Sequence, residues 1–261
     1  LQFRVGNEPD CLRFLECLRP RDGSLQNVHS WSGIFTLMRQ LYHFWLSPFS
    51  RKVRLVLAEK KLDFELTAEP VWERRDDFLL LNPAGEVPVL IEEDGSVLCD
   101  SVVICEYLDE VYEDEPKLFG SNPKERAEIR RLVAWFDGKF NREATEHLLG
   151  EKLLKRFFST GTPDTKVLRA GRTNAAYHMD YIGWLFERRN WLAGDHLTMA
   201  DLAAAAQVSV IDYMGDINWS KHPRAKDWYM RIKSRPAMRD ILADRQASFP
   251  ASSHYAELDF E

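Results

Sequence analysis

The stretch Asn82-Pro83-Ala84-Gly85-Glu86-Val87-Pro88-Val89-Leu90 constrains this chain more than any other. Asn-Pro and Ala-Gly punctuate a chain reversal after an apolar run. Val89-Leu90-Ile91 then supplies a short β-branched strand, closed by the acidic turn Glu92-Glu93-Asp94-Gly95. Pro88 stands at the mouth of that strand. A missing N–H is tolerated there at an edge, and the Val87-Pro88 bond is a candidate for the cis form, an ordinary trans loop proline being the alternative. Ser96-Val97-Leu98-Cys99 reads as a second strand, after which Asp100-Ser101 opens an apolar run through Leu108. A helix start offers unpaired N–H groups and the positive end of the helix dipole. Asp100-Ser101 is therefore either a plain N-cap or half of a site for a ligand carboxylate.

Composition narrows the classes. The chain has 261 residues, 45% of them hydrophobic, and a formal net charge of -6. That is enough for one large or two modest domains, and the charge argues against a general binder of nucleic acid or of acidic membranes. No apolar run approaches the roughly 20 residues of a membrane span, so a cytoplasmic location is expected. Cys11, Cys17, Cys99 and Cys105 have no metal-ligand spacing and read as reduced, buried thiols, Cys99 and Cys105 lying in apolar strand and helix contexts, which leaves no candidate metal site.

Residues 1–38 lack sustained periodicity, apart from a short helix possible over Asp10 to Leu18. They read as an extension ahead of a working domain that begins near Met38. The alternative is an arm whose Phe14, Leu15, Leu18, Trp31 and Phe35 dock on the body. A strand follows at Arg39 to Phe44, then a helix at Ser50 to Lys60, with Val53, Leu55, Val56 and Leu57 inward and Arg51, Lys52, Glu59 and Lys60 outward. The loop between them joins the C-terminal end of a strand to the N-terminus of a helix, a place where ligands bind and a thiolate is stabilised. Ser47 and Ser50 lie in it, and helix capping is the structural role open to both. Leu62 to Pro70 reads as a strand, and Val71-Trp72-Glu73 leads into a short helix ending at Leu81. After the hairpin, a helix reaches Val111, which gives an α/β domain over residues 39–111 and an acidic, proline-bearing linker over 112–121.

From residue 122 to 244 no strand pattern recurs, so the second domain is expected to be all helical. Glu125 to Leu149 and Thr165 to Arg188 carry helical periodicity, and Thr198-Met199-Ala200-Asp201 is a capping box ahead of an Ala-rich helix. Residues 245–261 form a tail whose stretch Ser252 to Glu261 alternates acidic and apolar residues, a composition suited to docking on another protein, with a disordered remnant as the alternative.

The motif Asn82-Pro83-x-Gly85-x-Val87-Pro88-x-Leu90, the hairpin, the acid-Ser helix start, the run over residues 41–60 and the capping box together resemble the cytosolic glutathione S-transferase superfamily. The resemblance covers about Met38 to Asp244. It implies a thioredoxin-like domain followed by an all-helical domain, a homodimer, and transfer of glutathione, a cosubstrate and not a resident cofactor, to a small electrophile. It assigns Ser47 to hydrogen-bond the glutathione sulfur as thiolate, the form that acts as nucleophile. It also assigns the Val87 backbone, ahead of Pro88, to the cysteinyl part, and Asp100 with Ser101 to the γ-glutamyl end. Trp72 stands near where an aromatic of some relatives meets the glycyl end; contact with a protein partner is the other reading.

Three positions depart from the family pattern. Glu86 puts negative charge beside the expected glutathione backbone, Asp100 replaces a longer acid or amide, and Pro48-Phe49 replaces smaller polar residues. With the tail and the Trp45 and Trp72 loops, they resemble the bacterial glutathione-transferase-like proteins that bind the FtsZ division filament. That resemblance implies a partner-binding function without catalysis.

Overall fold

The computed structural model describes residues 38–113, 116–246 and 248–258. The extension before Met38, with Cys11, Cys17 and the proposed arm, and the final Asp259-Phe260-Glu261 of the tail lie outside the described residues.

Four strands form one mixed sheet in the order β2-β1-β3-β4: β1 Arg39–His43, β2 Phe64–Ala68, β3 Val89–Ile91 and β4 Val97–Cys99. β1 runs parallel to β2 with Leu41 opposite Leu66, and antiparallel to β3 with Leu41 opposite Leu90. The parallel pair requires a crossover, supplied by helix α1, Pro48–Glu59. Helices α2 (Asp76–Leu81) and α3 (Ser101–Val111) complete this half. The strands and helices expected before Val111 are all present, each within a few residues of its expected ends.

The helical half begins with α4, Pro123–Ala134. It continues with helical backbone angles through wide π turns at Trp135–Thr145 and Gly150–Leu154, ending in a turn at Lys155–Phe157. The helix expected to stop at Leu149 thus runs two turns further. Then come α5 (Thr165–Phe186), α6 (Met199–Tyr213), α7 (Pro223–Lys233) and α8 (Arg239–Leu242). All of α6 is buried, so its run of alanines lets neighbouring helices approach closely. Thr198 and Asp201 form the reciprocal capping box. Asp201 also accepts from Leu192 N at 2.9 Å and Trp228 Nε1 at 3.1 Å, a purely structural use of the carboxylate.

Helix α1 departs from its expected orientation. The helical period assigns Arg51, Lys52, Glu59 and Lys60 to an outer face, yet Arg51 and Lys52 are fully buried and the Lys60 and Glu59 side chains are only 1% and 8% exposed. The helix is packed on both sides, against α3 and against α6. Its charges are therefore matched from other elements: Lys52 with Asp137, Lys60 with Asp109 at 2.9 Å, and Glu59 with Arg235. Arg54 makes a two-pronged contact with Asp244, at 2.8 and 2.9 Å, and Arg51 reaches the same carboxylate at 3.2 Å. Arg51 also donates to Trp45 O at 2.8 Å and Ser209 Oγ at 3.0 Å.

The tail also differs from its expected use, because its described part covers the chain's own body. Ser252 N donates to Tyr213 O at 2.8 Å, Lys233 Nζ to Glu257 O at 3.0 Å, and the buried Tyr255 hydroxyl to Ile241 O at 3.0 Å. The Tyr255 ring lies 5.8 Å from the Arg51 guanidinium, so the tail closes the pocket in which the arginines are held.

Removing the shared carboxylate leaves two guanidiniums buried without their counter-charge. Asp244→Ala is expected to cost about 3–5 kcal/mol of unfolding free energy. Urea denaturation followed by far-ultraviolet circular dichroism measures it, and a loss below about 1 kcal/mol would contradict the role assigned to this carboxylate.

Candidate functional site

The loop after β1 and the loop before β3 meet over the N-terminus of α1. Ser47 is the N-cap of that helix, and its Oγ accepts from Ser50 N at 3.2 Å. Because that bond uses Ser47 as an acceptor, its own hydroxyl proton stays available to donate. Ser50 is fully buried, with Oγ accepting from Phe44 N at 3.4 Å, and so serves the loop alone.

The second loop is built by Asn82. Its Nδ2 donates to Glu86 O at 2.7 Å and its Oδ1 accepts from Ala84 N at 3.2 Å, while Gly85 takes φ +68°. A side chain at Gly85 would be strained by that φ and would meet Leu79 Cδ2 at 3.1 Å. The loop delivers a cis Val87-Pro88 bond into β3. Beyond the hairpin, Asp100 caps α3, with Oδ1 accepting from Val102 N at 2.6 Å and Val103 N at 3.4 Å. Ser101 follows as the first, buried residue of that helix.

Two adjoining cavities of about 440 and 520 Å³ share Phe49, Ala84, Glu86 and Val87. Ser47 lines the first; Pro88, Asp100 and Ser101 line the second. The structure thus gathers five of the six sequence-predicted residues on one groove. Trp72 is the sixth and does not line it. Its ring stacks on Phe157 at 4.4 Å and meets Phe44 edge-on at 5.8 Å, bracing the wall from behind. Trp45 likewise turns toward the body, 4.3 Å from the His43 ring and 5.4 Å from the Arg54 guanidinium.

The opposite wall comes from the long helix. Asn141, Thr145, Glu146, Leu149, Leu154 and Phe158 line the first cavity, and Asp137 with Gly138 the second. None of these was singled out from sequence. The usable signal was the apolar spacing of Leu149, Leu153, Leu154 and Phe157, which carries the helix past Leu149.

The groove is acidic. Glu86, Glu146, Asp100 and Asp137 line it against one lining cation among the described residues, Arg74. Asp137 is held by the buried Lys52, while burial pushes its carboxyl above the ordinary range. Cys105 lies behind and is buried as expected, its thiol pushed up to about 12 by burial, whereas Cys99 is only half-buried because it lines the second cavity. Among the described residues no cluster of His, Cys, Asp and Glu has the makings of a metal site, and no helix is long and apolar enough to cross a membrane.

Beneath the site, His43 is fully buried with neither ring nitrogen hydrogen-bonded, and its pKa is lowered to about 3 by burial and by Arg54 and Arg51. His178 is lowered to about 4, again chiefly by burial. A histidine whose folded pKa lies below the unfolded value of about 6.5 binds fewer protons when folded. Its stabilising contribution is complete above that pH and is lost as pH falls toward the folded value. Between pH 7 and 5, urea unfolding should register a loss of about 1–2 kcal/mol per histidine. His43→Leu should remove its share of the slope; a flat profile in the native protein would contradict both assignments.

Comparison with known proteins places these features in context. Residues 41–116 match the model "Glutathione S-transferase, N-terminal domain" and residues 169–245 match "Glutathione S-transferase, C-terminal domain". The chain is 48% identical over 225 residues to FtsZ-localized protein A of Caulobacter vibrioides, covering 85% of this chain and 98% of that protein. A solved glutathione S-transferase from Rhodospirillum rubrum is 56% identical with a TM-score of 0.83, over 85% of this chain and all of that one. The structure of FzlA from C. crescentus gives 47% identity and a TM-score of 0.83, over 86% of this chain and all of that one.

Proposed function

Because the chain belongs to the glutathione S-transferase family, we propose that it uses the family's fold to associate with FtsZ filaments in a bacterial cytoplasm and not to conjugate glutathione. The observation that carries this reading is the likeness to FtsZ-localized protein A, which spans 98% of that relative at 48% identity. The charge of the groove supports it. Glutathione brings two carboxylates and one amine, so a lining with Glu86, Asp100 and Glu146 against Arg74, Asp137 being neutralised by Lys52, repels its net negative charge.

A second reading, transfer of glutathione to a small electrophile, has its own support. The Ser47 hydroxyl lines the first cavity with a proton to donate, beside Val87, whose backbone stands next to the cis Pro88. In that reading Ser47 would hold the sulfur as thiolate, Val87 and Pro88 would receive the cysteinyl backbone, and Ser101 with Asp100 would hold the γ-glutamyl end. Asp100 Oδ1 is already engaged as a helix cap, so only Oδ2 would be left for its half of that task.

Either function is compatible with a homodimer. Val97 on β4 and Val102 and Val103 on α3 are 42%, 39% and 52% exposed, an apolar set on neighbouring elements at the open edge of the sheet. Pairing of two copies there would cover both the valines and the β4 edge.

Two measurements separate the readings. Co-sedimentation with polymerised FtsZ is expected to bring the protein down in a saturable manner, and calorimetric titration with millimolar glutathione is expected to show no binding. Failure to co-sediment, together with saturable glutathione binding abolished by Ser101→Ala, would replace the filament reading with the transferase one.

A further inference from the structure

The cavity over Ser47 has walls and a charge that point to a ligand class of its own. At about 440 Å³ it falls within the range of small-molecule sites. Its lining is mostly apolar, and Phe158 stands 47% exposed at it, an aromatic surface left open where the helical half meets the loops. Apolar walls of this kind bind the body of a ligand. Its head group is chosen by the polar atoms among them.

Ser47 and Arg74 supply donors to this lining, and the other polar side chains offer acceptors. Glu86 and Glu146 come from opposite walls, one from the loop before β3 and the other from the long helix. Neither has an ion-pair partner within 4 Å among the described residues. Glu146 Oε1 accepts only the Asn141 amide, at 2.7 Å. Asn141 is 7% exposed and gives one of its two amide N–H groups to Glu146, and its carbonyl oxygen remains an acceptor at the lining. Thr145 turns its proton away, donating to Gln207 Oε1 at 2.6 Å. Arg74 is the one cation on this lining among the described residues. Its guanidinium lies over Gly85, and it offsets one of the two negative charges.

We propose that this cleft binds a small organic cation, an ammonium carried on an aryl or alkyl body. An ammonium brings three donors and no acceptor, which matches a lining of carboxylate and amide oxygens, and an aromatic wall adds attraction for a cation. The assignment goes beyond filament association and does not depend on it. It also differs from glutathione binding, because the ligand carries the opposite net charge.

Calorimetric titration of the intact protein with 4-phenylbutylamine, 4-phenylbutanol and 4-phenylbutanoate tests it at one body and three charges. At low ionic strength the ammonium is expected to bind about tenfold or more tighter than the carboxylate, with the alcohol between them. Glu86→Gln and Glu146→Gln should each weaken the ammonium about two- to fivefold and leave the alcohol unchanged, since each removes one exposed charge at nearly constant shape. Glu86 sits on an exposed loop, so its variant remains informative should the helix variant fold poorly. The proposal is overturned if the alcohol or the carboxylate binds as tightly as the ammonium, if both variants bind the ammonium unchanged, or if no ammonium binding appears at millimolar concentration.

Discussion

The shared contact of Arg51 and Arg54 with Asp244 decides how the two halves of this molecule meet. A guanidinium cannot shed its proton, so burying two of them on one helix obliges the rest of the chain to bring an acceptor to that spot. The acceptor arrives from just beyond α8, at the far end of the sequence. Trp45 O and Ser209 Oγ accept from two further donors of Arg51, so α1 is tied at once to its own preceding loop, to α6 and to the segment just beyond α8. Such pairs contribute little net stability compared with apolar packing. They do exclude alternatives, because any other docking of the halves strands a charge.

That registration sets the groove. Ser47 caps α1 and Asp137 lies on the long helix, and the buried pair of Lys52 with Asp137 ties one element to the other. The cavities lie across this seam, with loop residues on one wall and helical residues on the other. Their shape is therefore a consequence of how the halves dock and not of either half alone. The wide turns at Trp135–Thr145 belong to the same account. An extra residue per turn changes which side chains face the seam, and Asp137, Gly138, Asn141 and Thr145 are the ones presented there.

The thioredoxin-like half was legible because its signals are local. Asn82, Gly85 and Pro88 each fix the backbone within a few residues of themselves, and the structure uses each in that way. The capping box was legible for the same reason. What was not legible depends on partners distant in sequence. The spacing of α1 marks Arg51 and Lys52 as outward, and nothing within the helix announces that Asp244 and Asp137 will enclose them. The tail failed similarly: alternating acidic and apolar residues suit docking, but composition does not say on what, and Tyr255 docks on the chain's own α8. Trp72 looked like a contact for a ligand or partner, and the aromatic that braces it, Phe157, lies in the part of the long helix that periodicity had been read to exclude.

The site separates two properties that a family fold usually delivers together. The backbone features at Val87-Pro88 and the cap at Ser47 follow from how a thioredoxin-like sheet is built, so a chain retains them whatever it binds. The charges lining the groove are under no such obligation. Glu86 is exposed in a loop whose shape is set by Asn82 and Gly85, and a basic residue would fit there equally well. Glu146 is exposed on a helix whose buried face is supplied by other positions. Neither carboxylate is needed to fold the chain, and both lie where a ligand's charge would be read. The acidic lining is accordingly the part of this groove that carries information about its ligand, and it speaks against an anion.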